Sequence, residues 1–492
     1  MKRSSGVLLH ITSLPSRWGV GDLGPSASRF AELLQLGGQS WWQILPLPPV
    51  EAHGSPYSAR SLFAGNPLLL SPEKLVADGF LAELPPSVAD ADPRLVNYAE
   101  ALAFKTQVIE SAYRHSYGRV SRGAEFLEFC ARNASWLDDF ALYEAIREAQ
   151  GRPWYDWPEE IRRREPSALE IKRSKLGPSI EKTRFGQYLF EKQWSALVME
   201  CKERGIQFLG DVPFYVFHDS ADIWAHKEFF KVDSYGRPVF VGGVPPDLFS
   251  ETGQRWGNPV YDWSRLEERG YDWYNEKLSR SLHFAPLVRL DHFRGYVAYW
   301  EIPAEEKTAI GGKWVEVPKS FFPDLKSSFP MLPFVAEDLG VITDDVKEAK
   351  DDLGIPGMKV LEFAFDGSKD NPYLPENHEE NSLVCTGTHD TNTALGWFRD
   401  ETGTKGKDAL SEYLGRPVTE RSVCAELIAM AMTSVSGLAV IPMQDILRLG
   451  SEARMNNPGK SEGNWRWRAL PEEISEGTFR TLHEDTTRGR RC

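Results

Sequence analysis

A chain of 492 residues, 41% of them hydrophobic, can bury a large core, and its formal net charge of -14 repels polyanions and so excludes a nucleic-acid partner. The longest basic clusters are Arg162-Arg163-Arg164 and the terminal 488–491 segment, and no apolar run reaches membrane-spanning length, which excludes a membrane partner as well. Five scattered cysteines (Cys130, Cys201, Cys385, Cys424, Cys492) have neither disulfide nor zinc spacing, and no signal-like segment precedes GVLLHI; a reducing cytoplasm and the absence of metal or other cofactor are expected.

In chain order, short β-rich apolar runs fall at 6–11, 41–47, 207–214, 287–291, 333–337, 358–365, 383–388 and 438–446. Segments of helical period at 26–36, 185–204, 271–283, 343–353 and 418–434 lie between several of them. This alternation is that of parallel βα units, and eight strands predict an α/β fold of the closed (β/α)8 TIM-barrel type. An open doubly wound sheet is the alternative, but no GxGxxG or phosphate loop follows any strand.

Between the second and third runs the chain makes an excursion of roughly 160 residues, far longer than an ordinary βα connection. Residues 96–113 and 125–150 carry apolar residues at helical spacing, so 65–183 is read as an inserted, mostly helical subdomain of one catalytic barrel spanning 1–492. Residues 216–270 are rich in Gly, Pro and polar side chains and are read as an ordered irregular loop at the active face. Residues 296–330 hold AYWEIP and GGKWVEVP around IGGK, a small hairpin beyond the fourth strand. The chain ends soon after its eighth unit, with no separate C-terminal β-domain expected.

Aromatic residues make up 12% of the chain, with 16 Trp, many beside Pro, Gly or Asp. A single such ring more often packs under a loop, but the ensemble suits the flat faces of sugars.

Three carboxylates close predicted strands: Asp291 in RLDHFRG, Glu337 in FVAEDLG and Asp390 in TGTHDT. In a barrel those strand ends converge on one face. Two acids flanking a glycosidic bond perform its chemistry, one protonating the leaving oxygen and the other attacking the anomeric carbon. Side chains alternate along a strand, so Arg289 shares a face with Asp291 and is expected to hold that carboxylate ionised. Each motif has a plainer reading: an ordinary strand-end ion pair, an acidic pair opening the next helix, or a satisfied strand-end histidine at His389.

Taken together, LVRLDHFRGY, PFVAEDLG, LVCTGTHDT, LGDVPFYV, HGSPYSARSLFAGNP and QRWGNPVYDW resemble the 4-α-glucanotransferases (amylomaltases, disproportionating enzymes) of glycoside hydrolase family 77 over nearly the whole chain. The resemblance implies that Asp291 is the nucleophile, Glu337 the general acid/base and Asp390 the transition-state stabiliser. It further implies that Arg289 and His389 bind hydroxyls of the sugar at the cleavage site, that Tyr57 stacks on that sugar beside Ser55, that Asp211 organises the site and that Trp256 serves the acceptor side. The implied partners are α-1,4-glucans and maltooligosaccharides, and the implied reaction is transfer of a glucan segment to an acceptor 4-OH through a covalent glucosyl-Asp intermediate. An α-amylase-type hydrolase and a catalytically silent glucan-binding protein are the two rival readings.

Overall fold

The computed structural model describes residues 2–88, 92–246, 251–340, 342–458, 460 and 462–492. Its strands are β1 (Ser4–Leu8), β2 (Trp41–Gln43), β3 (Gln207–Val212), β4 (Phe240–Val244), β5 (Gln254–Pro259), β6 (Leu287–Leu290), β7 (Ala298–Pro303), β8 (Lys313–Glu316), β9 (Phe334–Ala336), β10 (Gly357–Val360), β11 (Ser382–Cys385) and β12 (Leu438–Pro442). Eight of them pair in parallel in the order β10-β11-β12-β1-β2-β3-β6-β9. The ring is completed where the Ala336 N–H donates to the Pro356 carbonyl at 2.8 Å. All eight apolar runs read from the sequence thus contribute a barrel strand.

The period of two explains how each strand is used. Leu8, Leu209, Leu287, Val335 and Leu383 pack with one another inside the barrel, whereas Val7, Phe208, Val288, Phe334 and Val384, their chain neighbours, join the core under the outer helices. Continuing that alternation by two residues puts Asp211, Arg289 and Glu337 on the interior face at the C-terminal mouth. Helix Pro25–Leu36 turns Phe30 inward against Trp42, with ring centroids 4.7 Å apart.

The excursion after β2 contains helices Pro72–Ala77, Tyr98–Val120, Ala124–Arg132, Ala134–Gln150 and the 38-residue Pro166–Glu203. The apolar period shows only the second half of that last helix, because Leu169 and Ile180 are the sole buried side chains among its first residues and Pro178 sits inside it. Arg147 fastens the excursion to the barrel loops, reaching Glu51 at 3.1 Å and Asp219 at 3.0 Å.

The structure corrects one expectation. Residues 216–270 are not irregular throughout: β4 and β5 join the β7–β8 hairpin in an antiparallel sheet of order β5-β4-β7-β8. The glycines that suggested a loop serve close approach instead. A Cβ on Gly242 would lie 2.3 Å from the Tyr215 ring, and one on Gly243 would lie 2.1 Å from the Gln254 carbonyl oxygen. Residues 247–250, part of the expected loop, lie outside the described residues.

Among the described residues no helix is long and apolar enough to cross a membrane. At the opposite end of the barrel from the mouth, Arg491 is fully buried and donates to the carbonyls of Ser4, Ala431, Met432, Ser434 and Gly437. Burial and nearby Arg3 lower its pKa to about 9. Arg491→Met removes these donors, and although Arg3 still donates to the Ser434 and Met432 carbonyls and Ser4 N to that of Gly437, a loss of about 1–3 kcal/mol in unfolding free energy is expected from denaturant titration; an unchanged midpoint would contradict it.

Candidate active site

Asp211 and Arg289 are neighbours across adjacent strands: β3 and β6 pair with Asp211 opposite Arg289. The Arg289 Nη1 donates to Asp211 Oδ1 at 3.0 Å and Oδ2 at 2.8 Å, and it lies 2.9 Å from Asp291 Oδ1. Its Nη2 stands 4.0 Å from Glu337 Oε2. One buried guanidinium therefore links three carboxylates contributed by three strands, as its several fixed donors permit.

After Asp291 the chain turns sharply. His292 adopts a left-handed φ of 48°, and its N–H donates to Glu337 Oε2 at 2.7 Å. The turn requires glycine at 295, because a Cβ there would lie 2.8 Å from the His292 ring and 2.9 Å from Phe214. Asp338 turns away from the mouth, accepting from Met358 N at 2.7 Å.

Tyr57 closes the other side. Its hydroxyl donates to Asp211 Oδ2 at 2.7 Å and lies 2.8 Å from His389 Nε2. The single phenolic proton goes to Asp211, so His389 must present an Nε2–H to the Tyr57 oxygen. Burial lowers the pKa of His389, which agrees with that neutral tautomer. His389 Nε2 is also 3.3 Å from Asp390 Oδ2, and Asn456 Nδ2 donates to Asp390 Oδ1 at 2.6 Å.

A cleft of about 1040 Å³ opens over this constellation, with Ser55, Tyr57, Trp256, Arg289, Asp291, Glu337 and Asp390 among its lining residues. Asp211 and His389 do not line it; they are buried behind Tyr57 and Arg289. Ser55 lies at the rim, its Oγ accepting from Tyr57 N at 3.3 Å. Trp256, on β5, is 38% exposed and meets the His292 ring edge-on at 5.0 Å.

Burial drives the electrostatics. It pushes Glu337 up to about 8 against the pull of Arg289, with Asp291 and Asp390 adding to the rise. It likewise pushes Asp211 up to about 7, opposed by Arg289. Glu337 is thus raised while Arg289 lies 2.9 Å from Asp291, so the two carboxyls stand in unlike surroundings.

Reading the sequence alone misses several lining residues. Trp465, with φ of 66°, packs 5.7 Å from Tyr57 and 6.0 Å from His389, and its carbonyl accepts from the Tyr98 hydroxyl at 2.8 Å. His292 lines the cleft and its Nε2 has no hydrogen-bond partner among the described residues. The Trp residues of GNWRWR carry the only sequence signal, aromatic rings amid polar neighbours. Asn456 and Tyr98 carry none.

A family model described as 4-alpha-glucanotransferase, of glycoside hydrolase family 77, matches residues 9–472. A 4-alpha-glucanotransferase of Aquifex aeolicus is 46% identical over 486 residues, covering 97% of each chain. One from Thermus thermophilus is 44% identical over 501 residues, covering 99% of each. Among solved structures, amylomaltase from Streptococcus agalactiae in complex with acarbose superposes with a TM-score of 0.95 at 35% identity, covering 100% of both chains. A match of that extent, over a barrel whose mouth gathers three carboxylates around one arginine, shows that this chain belongs to the 4-alpha-glucanotransferases of glycoside hydrolase family 77.

Proposed function

We propose that this enzyme carries out the family's transfer between α-1,4-glucans by retaining double displacement, with Asp291 as nucleophile, Glu337 as acid/base and Asp390 as transition-state stabiliser. The observation that carries this reading is the pair of unlike carboxyls joined by Arg289: Asp291 in contact with the guanidinium at 2.9 Å, and Glu337 held up to about 8 by burial.

In the first step Asp291 Oδ attacks the anomeric carbon as its bond to the leaving oxygen breaks, and the Glu337 proton passes to that oxygen. In the second, an acceptor 4-OH attacks the same carbon, gives its proton to Glu337 and releases the Asp291 carboxylate. Water at the second step would give hydrolysis instead. Trp256 offers a half-open ring on which an acceptor glucan can lie, while Tyr57, Arg289 and Ser55 are assigned to the sugar at the cleavage point. His389 and Asp211, being buried behind Tyr57, are assigned to holding that ring and Arg289 in place. Maltooligosaccharides are the proposed substrates, in keeping with the acarbose bound by the Streptococcus agalactiae amylomaltase. The described cysteines are all free, which supports a cytoplasmic setting.

Incubation with maltotriose should yield glucose together with chains longer than the substrate. Glucose and maltose alone, with no lengthening, would establish the hydrolase reading, and binding without products the silent one. The pH profile of kcat/KM provides a second check. The first step needs protonated Glu337, so activity should fall as pH rises through about 8. A profile flat to about pH 9.5 would remove Glu337 from the acid role.

A further inference from the structure

The loop carrying His389 and Asp390 leaves the barrel after Cys385, at the end of β11, and enters helix at Ala394. Both of its ends meet one side chain. Asp445, on the helix Met443–Ile446 that directly follows β12, is fully buried and accepts from the Thr386 hydroxyl through Oδ2 and from Ala394 N through Oδ1 at 2.7 Å. A carboxylate has enough acceptor positions to take both donors at once, so residues 386–394 are pinched closed at their base.

That base has no slack. A Cβ on Gly387 would lie 2.6 Å from Thr391 Oγ1 and 2.8 Å from Glu362 Oε1, and Thr388 N donates to Thr391 Oγ1 at 3.0 Å. Burial, with the nearby Asp445 charge adding to it, raises the Glu362 carboxyl well above the usual carboxylate range, which favours its uncharged form beside Asp445. The tip of the loop is held by residues a few positions further along the same segment. Asn456 N donates to the His389 carbonyl at 3.0 Å, and Arg454 Nη2 donates to the Asp390 carbonyl at 2.9 Å. The stretch that follows β12 therefore grips the loop at both root and tip.

We propose that Asp445 is a positioning residue for the transfer reaction, clamping Thr386 and Ala394 so that Asp390 stands at the correct place against the reacting sugar. Asp445 does not line the cleft, so it acts only through the loop. The proposal rests on the role assigned to Asp390 above.

A double-mutant cycle tests it, with kcat, KM and Tm measured for each variant on maltotriose. Asp390→Asn should lower kcat/KM by about 10²–10³-fold. Asp445→Ala, which lets the loop shift by about an ångström, should lower kcat by about 10²-fold with KM within about twofold. The double variant should fall no more than about threefold below Asp390→Asn alone, because the clamp then has no functional carboxylate to place. Asp445→Asn should stay within about tenfold of wild type: its Oδ1 still accepts from Ala394 N, and its amide donates to the Thr386 hydroxyl, which accepts equally well.

Multiplicative losses in the double variant would reduce Asp445 to a general stabilising role and overturn the proposal. If Asp445→Ala does not fold, Thr386→Val carries the test: it keeps the side-chain shape, removes one donor, and should lower kcat in the wild-type background but not in Asp390→Asn. Equal loss in both backgrounds overturns the proposal. Near-wild-type activity of Asp390→Asn itself would instead overturn the assignment on which the proposal stands.

Discussion

Asp291→Asn is expected to lower transfer by at least about four orders of magnitude, since the amide cannot form the glucosyl ester and no other carboxylate occupies its place. The fold should be unaffected. In the variant Arg289 keeps both contacts to Asp211, at 2.8 and 3.0 Å, so no buried cation is orphaned, and Tm should remain within about 3 °C of wild type. Steady-state turnover on maltotriose, with thermal melts of the same samples, decides the matter. Near-wild-type turnover in a folded Asp291→Asn sample would remove Asp291 from the nucleophile role.

Arg289→Met is expected to cost both activity and stability. The Asp211 side chain is fully buried and has Arg289 as its cationic partner, so deleting the guanidinium strands a buried carboxylate, at a cost of about 3–5 kcal/mol. The pH dependence follows from the sign of the shift. Asp211 already sits up to about 7 with the arginine present, and without it burial is opposed less, so its folded pKa lies above the unfolded value. A carboxyl raised in this way binds more protons in the folded state, and stability falls as pH rises from the unfolded pKa to the folded one. The Tm gap between Arg289→Met and wild type should therefore be narrower at pH 5 than at pH 8. A gap independent of pH, or wider in acid, would show that Asp211 is not the group left unpaired.

Both expectations concern residues whose chemical character is visible in a short stretch of sequence. RLDHFRG ends an apolar run in alternating charge, and alternation alone is enough to put Arg289 and Asp291 on one face, where the structure has them 2.9 Å apart. The same local logic makes the eight strands readable, because each run is apolar on both faces and flanked by polar turns. It fails at residues 216–270, where Gly242 and Gly243 look like loop punctuation but sit in a strand. Their reason for being glycine is the Tyr215 ring and the Gln254 carbonyl, neither of which is deducible from the neighbouring sequence.

Sequence alone therefore determined the kind of fold and pointed to the acidic residues that follow three of its strands, because side-chain period, charge and turn chemistry are properties of a few adjacent residues. The tertiary structure decided which of them meet. Asp211 and Arg289 are 78 positions apart, Tyr57 and Asp211 are 154 apart, and Tyr57 and His389 are 332 apart. Those contacts exist because barrel closure sets strand order and register, and because burial at the mouth raises Glu337. Proton affinity at such a site depends on how much water and opposite charge surround a carboxyl, and no stretch of sequence carries that quantity by itself.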